Sequence, residues 1–205
     1  MRPGLYQTGD PRAPNRRSPC AMFDPKPYSE ACEQNKLPIA EVLAPRLQGA
    51  QTLLEIGSGT GQHAVYFAAR WPRLRWQTSD IAAHLPGIRA WLAEARGDHL
   101  PPPLCLDVTG EWPDGPFDAA FSANTAHIMG APEVVQMFAG IGRVLAPGGR
   151  FFLYGPFNEG GRYTSESNAA FDDWLHARDP RSGIKDQTDL SNWAGDAGLV
   201  LEEAL

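Results

Sequence analysis

The chain of 205 residues is 42% hydrophobic and 20% charged, which suits one globular domain with a packed core. Its net charge of −6 argues against a protein that binds nucleic acid through the phosphates, because such binding depends on lysine and arginine. It has no apolar run near the roughly 20 residues that span a bilayer, no signal-peptide pattern, and only three cysteines without a C-x-x-C pair. We therefore expect a cytoplasmic protein with no metal site and no membrane or nucleic-acid partner.

Residues 1–25 differ from the rest of the chain. Proline recurs there and apolar residues are sparse, which is typical of a disordered tail. Residues 26–205 are expected to form one domain. It opens with a helix that begins after Ser29, a plausible N-cap, and ends near Leu47, with Pro38 as a point where it could divide.

Short apolar runs and helical patterns then alternate to the end of the chain. Further helices are expected at 62–71, 88–96, from Pro132 to the Pro147-Gly148-Gly149 turn, at 166–178 and at 187–197. Strands are expected in the TLLEI run before the first glycine turn and at 74–80, 103–107, 117–124, 150–156 and 199–205. The pattern predicts a doubly wound, mostly parallel α/β sheet, which binds ligands at the carboxyl ends of its strands.

A glycine-rich turn follows the first strand, with Glu55 before Gly57-Ser58-Gly59-Thr60-Gly61. Glycines permit a tight turn and let a ligand approach the backbone, and the next helix offers free N–H groups. A dinucleotide fingerprint requires glycine where this chain has Gln62, which disfavours a dehydrogenase. The E-x-G-x-G-x-G spacing resembles motif I of class I S-adenosylmethionine-dependent methyltransferases. That resemblance implies a Rossmann-like fold and S-adenosylmethionine as the cofactor.

Acids end the next two predicted strands. Asp80 is placed to accept both ribose hydroxyls, and Asp107 stands where this class often contacts the adenine amino group; the alternative for both is turn capping. Glu55 either orients the loop or meets the ligand's ammonium group. The predicted cofactor-binding residues are Glu55, Gly57, Ser58, Gly59, Gly61, Gln62, His63, Asp80, Asp107 and Asn124.

The resemblance narrows further along the chain. GTGQH at 59–63, N-x-x-H-I at 124–128, YGPF at 154–157 and S-N-x-x-F-D followed by R-D-P at 167–180 together resemble the uncharacterised family that includes methyltransferase-like 26. The likeness runs from about Tyr28 to the end and implies no particular substrate. Two differences stand out. This chain has a GSG loop where the family reads ALASGTGQH, and family members continue past the position of Leu205.

His127 is the predicted general base, three residues after Asn124 at the end of the fourth strand. Methyl transfer mainly needs a well-placed nucleophile, but an oxygen or nitrogen nucleophile also needs a base. The alternative for His127 is packing. Asn124 is expected to bond the cofactor or its loop, since a neutral amide cannot take a proton. His84, His99 and His176 show no partner pattern.

Polar residues on both sides of this core are predicted to contact a substrate. Asn168 and Asp172 share one helical face and, with Phe171 and Tyr28, are expected to close a small pocket; the alternative is a solvated helix face. The predicted substrate contacts are Tyr28, Asn35, Tyr154, Asn158, Asn168 and Asp172. The acidic balance favours a small polar substrate. The function expected is methyl transfer to that molecule, and the alternative is a non-catalytic S-adenosylmethionine-binding module that acts through a protein partner.

The number of strands raises one further expectation. Class I methyltransferase sheets usually have seven strands in the order 3-2-1-4-5-7-6, the seventh antiparallel. The sequence supplies six, the last at 199–205. We therefore expect the chain to lack the antiparallel strand and to be a truncated version of a longer parent; its oligomeric state is left open.

Overall fold

The computed structural model describes residues 26–205, so the predicted tail lies outside the described residues. In chain order the elements are α1 (Glu30–Arg46), β1 (Thr52–Ile56), α2 (Gln62–Arg70), β2 (Arg75–Asp80), α3 (Leu85–Leu92), β3 (Leu104–Cys105), β4 (Phe117–Ala123), a 3₁₀ turn (Ala126–Ile128), α4 (Ala131–Val144), β5 (Leu145–Tyr154), β6 (Phe157–Asn158), α5 (Glu166–Arg178), β7 (Lys185–Asp186) and α6 (Gln187–Asp196).

Five of these strands form a parallel sheet in the order β3-β2-β1-β4-β5. Leu54 of β1 lies between Gln77 of β2 and Ala120 of β4, so the chain reverses direction of winding at β1. Strands β6 and β7 form a separate parallel pair. The doubly wound α/β prediction is confirmed, and the carboxyl ends of β1, β2, β4 and β5 lie at one edge.

Hydrophobic cores fill both faces of the sheet. On one face, Leu53 and Phe121 pack with Leu43 of α1 and Phe67 of α2. On the other face, Leu54 and Ala120 pack with a row from α4 and with α6; this row is Val134, Met137, Phe138, Ile141 and Val144. Successive residues of β1 therefore bury opposite faces, which explains why its sequence is a continuous apolar run.

Three helices begin at side-chain caps that the sequence supplies. The Ser29 hydroxyl accepts from the Cys32 N–H, Ser165 caps α5 through the Asn168 N–H, and Asp186 caps α6 through the Thr188 N–H. Helix α1 runs through Pro38 without dividing, because Ile39, Ala40 and Leu43 anchor it in the core on the far side of the proline.

One predicted strand is wrong. Residues 199–205 form no strand and are largely exposed. Glu202 pairs with Arg150 and Glu203 with Arg46, so the segment is attached by its side chains rather than by a backbone ladder. Strand β5 is an edge of the sheet. Over residues 26–205, no helix combines the length and apolarity needed to cross a membrane.

Candidate active site

The glycine loop lies between β1 and α2, and two of its glycines are fixed by different needs. Gly57 has φ +69°, and a Cβ there would lie 2.6 Å from the Thr125 side chain. Gly59 has φ +58°, and no protein atom lies within 4 Å of where its Cβ would be. Because Gly57 has no side chain, Thr125 in the turn after β4 can pack against it. The open space at Gly59 leaves its backbone accessible to a ligand.

The loop is tied to β2 from beneath. The Ser58 N–H donates to the Ser79 carbonyl (3.0 Å), and the Ser79 N–H donates to the Ser58 hydroxyl (3.1 Å). Below them Glu55 is only 2% exposed and accepts from the Trp76 indole N–H at 2.9 Å. Burial raises the pKa of Glu55 to about 7. The bond to Trp76 ties β1 to β2 beneath the loop, and both roles predicted for Glu55 stay predictions.

Asp80 closes β2 with its carboxylate turned toward the loop. One oxygen accepts from the Gly59 N–H at 2.7 Å; the other accepts from the Ile81 N–H at 2.7 Å and lies 2.8 Å from His84 Nδ1. The residue is 7% exposed, and the oxygen that accepts from Gly59 retains one lone pair for a further donor. His84, which was expected to have no partner, therefore contacts Asp80.

Asp107 occupies a different environment. Strand β3 ends at Cys105, and the exposed Asp107 accepts from the Thr109 N–H (2.9 Å) and hydroxyl (2.7 Å). These bonds lower the pKa of Asp107. The residue caps a turn, the alternative weighed for it, and any contact with an adenine group stays a prediction.

Residues 26–36, here called the amino-terminal strap, lie against the loop and helices α2 and α3. The Gln62 amide accepts from the Ser29 N–H (2.5 Å) and donates to the Ser29 carbonyl (3.3 Å) and to Glu33 (3.1 Å). His63 Nε2 lies 2.7 Å from the buried Asn35 Oδ1. Burial lowers the pKa of His63 to about 4. Gln62, His63 and Asn35 thus join the strap to the loop.

Asn124 directly follows β4 at the same edge of the sheet. Its φ of +56° is the one left-handed value of a non-glycine residue among residues 26–205, and its N–H donates to the Tyr154 carbonyl at 2.8 Å. Asparagine tolerates this conformation better than most residues do. The strand end is therefore strained at the junction of β4 and β5, and strain of this kind clusters at functional sites.

His127 lies in the 3₁₀ turn that follows. It is 7% exposed, and Phe171 of α5 meets its ring edge-on at 5.1 Å. Burial, and after it the charge of Lys185, lowers the pKa of His127 to about 4. Between residues 26 and 205 its imidazole has no hydrogen-bond partner. The ring is therefore neutral at pH 7 and available as an acceptor.

The predicted substrate residues have different exposures and different hydrogen-bond partners. Tyr28 is 60% exposed, and in the described part of the chain no hydrogen bond joins it to α5; its hydroxyl lies 3.4 Å from Glu30. Asn168 donates to the Thr164 hydroxyl at 2.8 Å. Asp172 is buried and accepts from the Tyr163 hydroxyl at 2.7 Å. The small pocket expected from Tyr28, Asn168, Asp172 and Phe171 stays a prediction.

Two other predicted residues, Tyr154 and Asn158, lie at the ends of β5 and β6. Tyr154 is partly exposed at the end of β5, and the buried Asn158 Oδ1 has no hydrogen-bond partner in the described residues. His176, thought to lack a partner, lies 2.9 Å from the Asp172 carbonyl, and His99 bonds the Ala68 carbonyl. Within residues 26–205 no group of three histidine, cysteine or acidic side chains is placed to hold a metal ion.

Comparison with known proteins places this geometry in a family and a fold. The family described as "Protein of unknown function (DUF938)" matches residues 26–205. Similar solved structures include an O-methyltransferase family protein from Burkholderia thailandensis, with a TM-score of 0.74 and 17% identity over 85% of this chain and 54% of that one. The S-adenosylmethionine-dependent methyltransferase SibL, in its apo form, has a TM-score of 0.69 and 22% identity over 82% of this chain and 49% of its own.

Human N-acetylserotonin methyltransferase, in complex with SAM, has a TM-score of 0.67 and 15% identity over 82% of this chain and 47% of that one. The present chain therefore spans about half the length of these structures. At such identities the likeness shows the fold, which is the Rossmann-like fold of class I methyltransferases.

Proposed function

We propose that this chain, which belongs to the DUF938 family, is an S-adenosylmethionine-dependent methyltransferase that acts on a small polar molecule. The observation that carries the proposal is the glycine loop, with open space at Gly59 and the buried Asp80 carboxylate beside it. The methyltransferase names of the three structures support it. So does the resemblance of GTGQH, N-x-x-H-I and YGPF to the methyltransferase-like 26 family.

The residues present suit S-adenosylmethionine. The free N–H groups at the start of α2 suit a carboxylate, and the open backbone at Gly59 allows close approach. Asp80 is held by Gly59, Ile81 and His84 and keeps one lone pair for a ribose hydroxyl; a second hydroxyl would take the place of one of these donors. Asp107 stays a candidate for the adenine amino group. Glu55 acts from beneath, by holding β2 and the loop together.

S-adenosylmethionine, when bound, supplies a methyl group that its sulfonium has already activated. The protein therefore needs mainly to orient the acceptor and exclude water. His127 takes the acceptor's proton. With a pKa near 4 it is a weak base. A weak base is sufficient, because an oxygen or nitrogen acceptor becomes strongly acidic as it gains a methyl group.

The residues around His127 suit a small polar molecule as the methyl acceptor. The reaction is proposed to take place in the cytoplasm. The unpaired Asn158 Oδ1 is an acceptor for a donor group of that molecule, because a buried carbonyl oxygen without a partner is costly. Tyr154 lies at the neighbouring strand end. The net charge of −6 disfavours a nucleic-acid acceptor. Asn35, bonded to His63, would act on the site only through the strap.

Calorimetry tests the cofactor. The protein should bind S-adenosylmethionine with about micromolar affinity, roughly −8 kcal/mol. Asp80→Asn should weaken binding by at least about tenfold, since charge-assisted bonds contribute about 1.5–3 kcal/mol. Asp98→Asn, at an exposed position, is the control and should bind as the parent does. Saturable binding of NAD without heat from S-adenosylmethionine would overturn the proposal.

Methyl release against metabolite pools tests catalysis. His127→Ala should lower kcat by roughly 10²–10⁴-fold with cofactor affinity unchanged. His99→Ala, whose ring bonds a carbonyl of α2 away from this edge, is the control. Turnover in the parent should rise with pH through about 4 and then level off. Equal turnover in His127→Ala would leave positioning alone as the mechanism, and cofactor binding without any turnover would favour the non-catalytic module.

A further inference from the structure

Three consecutive main-chain carbonyls of the His127 turn are held by one short segment. The Gly183 N–H donates to the His127 carbonyl (2.9 Å), and the Ser182 hydroxyl donates to the Ile128 carbonyl (2.9 Å). The Lys185 ammonium donates to the Met129 carbonyl (2.7 Å). We call Ser182, Gly183 and Lys185 the carbonyl clamp. Its contacts end on the main chain of the turn and leave the imidazole without a bond.

Asp172 holds the clamp from the other side. One of its oxygens accepts from the Ile184 N–H at 2.6 Å, and the other accepts from the Tyr163 hydroxyl at 2.7 Å. A Cβ at Gly183 would lie 2.8 Å from the His176 ring and 3.2 Å from Asp172 Oδ1, so only glycine fits there. Helix α5 thus places Asp172 on the clamp and the adjacent Phe171 on the imidazole.

Lys185 is the charged member of the clamp, and its side chain is half-buried. Its ammonium donates to the carbonyls of Met129 and Gly183, and in the described part of the chain no carboxylate lies within ion-pair distance of it. Asp172 and Glu133 are the acids whose charges act on it, while burial lowers the pKa of Lys185. A buried cation without a direct partner is costly, so its retention beside His127 calls for a role.

We propose that Asp172 and Lys185 are positioning residues for His127, which act by fixing the turn after β4 through the carbonyl clamp. The inference rests on the proposed function for its kinetic consequence, but the position of the ring itself can be read without turnover. The clamp makes three bonds to the residues that carry the imidazole, directly after the strained Asn124. A turn held in this way keeps the ring against Phe171 rather than in solvent.

Nuclear magnetic resonance of protein with isotope-labelled histidines measures the titration and the chemical environment of the His127 ring directly. Lys185→Met should raise the midpoint of the His127 titration by about one pH unit, because a neighbouring positive charge is lost. Lys185→Arg should leave it near the parent value. Asp172→Asn should shift the His127 resonances, and Asp173→Asn, the exposed neighbour on α5, should not. His63, beside the glycine loop, and His99, away from this edge of the sheet, serve as internal references.

Kinetics separates positioning from general stability. Lys185→Met and Asp172→Asn should lower kcat, on the order of 100-fold for a displacement near 1 Å, with the KM for S-adenosylmethionine unchanged. In a His127→Ala background the same substitutions should have little further effect, because their action passes through His127. Lys185→Arg should restore most of the turnover.

The outcomes are distinguishable. If Lys185→Met does not fold, Ser182→Ala removes only the bond to Ile128 and should move the His127 resonances in the same assay. Unmoved His127 resonances in Lys185→Met or Ser182→Ala, or kcat losses that simply add to that of His127→Ala, would overturn the inference. A parent protein that neither binds S-adenosylmethionine nor turns over would refute the proposed function, while the resonance measurements would still decide whether the clamp positions the ring.

Discussion

The proposed site has two flanks: a cofactor flank at the glycine loop and the start of α2, and an acceptor flank at the His127 turn. The two flanks are held in different ways. On the cofactor flank, side chains of the glycine-loop region reach outward: Gln62 bonds both main-chain groups of Ser29, and His63 pairs with Asn35. On the acceptor flank the direction is reversed, because residues 182–185 reach inward to the main-chain carbonyls of the His127 turn.

The difference shows which side chains each flank leaves free. The cofactor flank uses its polar side chains to close the structure, so Gln62, His63 and Asn35 are buried and already bonded. The acceptor flank is fixed through the backbone, which leaves the imidazole of His127 unbonded and Tyr154, Tyr163 and Trp174 partly exposed. The flank at the glycine loop is thus closed through its side chains, whereas the flank at the His127 turn is closed through its main chain.

The largest effect should come from the cofactor loop. Gly57→Val places a branched side chain 2.6 Å from Thr125 at a φ of +69°, and should cost about 3 kcal/mol or more while abolishing cofactor binding. Gly49→Val is the matched control, because Gly49 has φ +84° but open space around it. Calorimetry should show parent-like affinity for that control. Equal binding by both variants would mean that the Thr125 contact does not shape the loop.

The buried carboxyl beneath the loop should make stability depend on pH. Folding raises the pKa of Glu55 from 4.5 to about 7, so the native state binds its proton more tightly than the unfolded chain does. The stability that this group contributes is present below pH 4.5 and is lost as the pH rises through about 7. Since a glutamine side chain stays neutral at every pH, Glu55→Gln should become more stable than the parent by up to about 3 kcal/mol at pH 8.

Urea denaturation at pH 5 and pH 8 measures this difference. Glu111→Gln, an exposed change of the same kind, should show no such dependence on pH. A Glu55→Gln advantage of equal size at both pH values would contradict the assignment of a buried, protonated carboxyl.

A smaller effect should follow from release of the amino-terminal strap. Gln62→Ala leaves the Ser29 N–H and carbonyl without their partner and should cost about 1–3 kcal/mol. Hydrogen exchange should accelerate in residues 28–36 and not in 126–129, because the two flanks are held separately. Gln136→Ala, at an exposed position of α4, is the control. Faster exchange in the His127 turn would show that the flanks are coupled.

The smallest change in stability should come from the open acceptor flank. Trp174 is 53% exposed and stacks on Phe171, with ring centroids 5.8 Å apart. Trp174→Ala should alter the free energy of unfolding by less than about 1 kcal/mol and leave cofactor affinity unchanged. Once an acceptor is known, its KM should rise. Val200→Ala, at a fully exposed site, is the control, and an unchanged KM would remove Trp174 from the acceptor surface.

The sequence was sufficient to predict the parallel sheet and the glycine loop, because both depend on local spacing. Apolar runs buried on two faces specify β1 and β4, and three glycines mark the turn that follows β1. It was not sufficient for residues 199–205. Their apolar pattern resembles a strand, but a strand needs a neighbouring backbone, and Glu202 and Glu203 attach this segment to arginines instead.

The carbonyl clamp escaped prediction for a different reason. Ser182 and Lys185 bond to carbonyls more than 50 residues away, at separations of 54 and 56 residues, and main-chain acceptors leave no trace in the residue types. The pairing of Asn35 with His63, 28 residues apart, was hidden in the same way. The contact between Asp80 and His84 was within reach, since only the short turn from β2 to α3 separates the two residues.

Asn124 limits how the site can be redesigned. Its left-handed backbone, φ +56°, restricts the position to the few residues that accept this conformation, and a β-branched residue there would cost on the order of 1–3 kcal/mol. A mutant library randomised at position 124 would return mostly glycine, aspartate and asparagine, whatever acceptor was selected for. Diversity introduced at Tyr154 and Trp174, whose side chains reach solvent, would instead explore new acceptors without disturbing the junction of β4 and β5 or the bond from Tyr163 to Asp172.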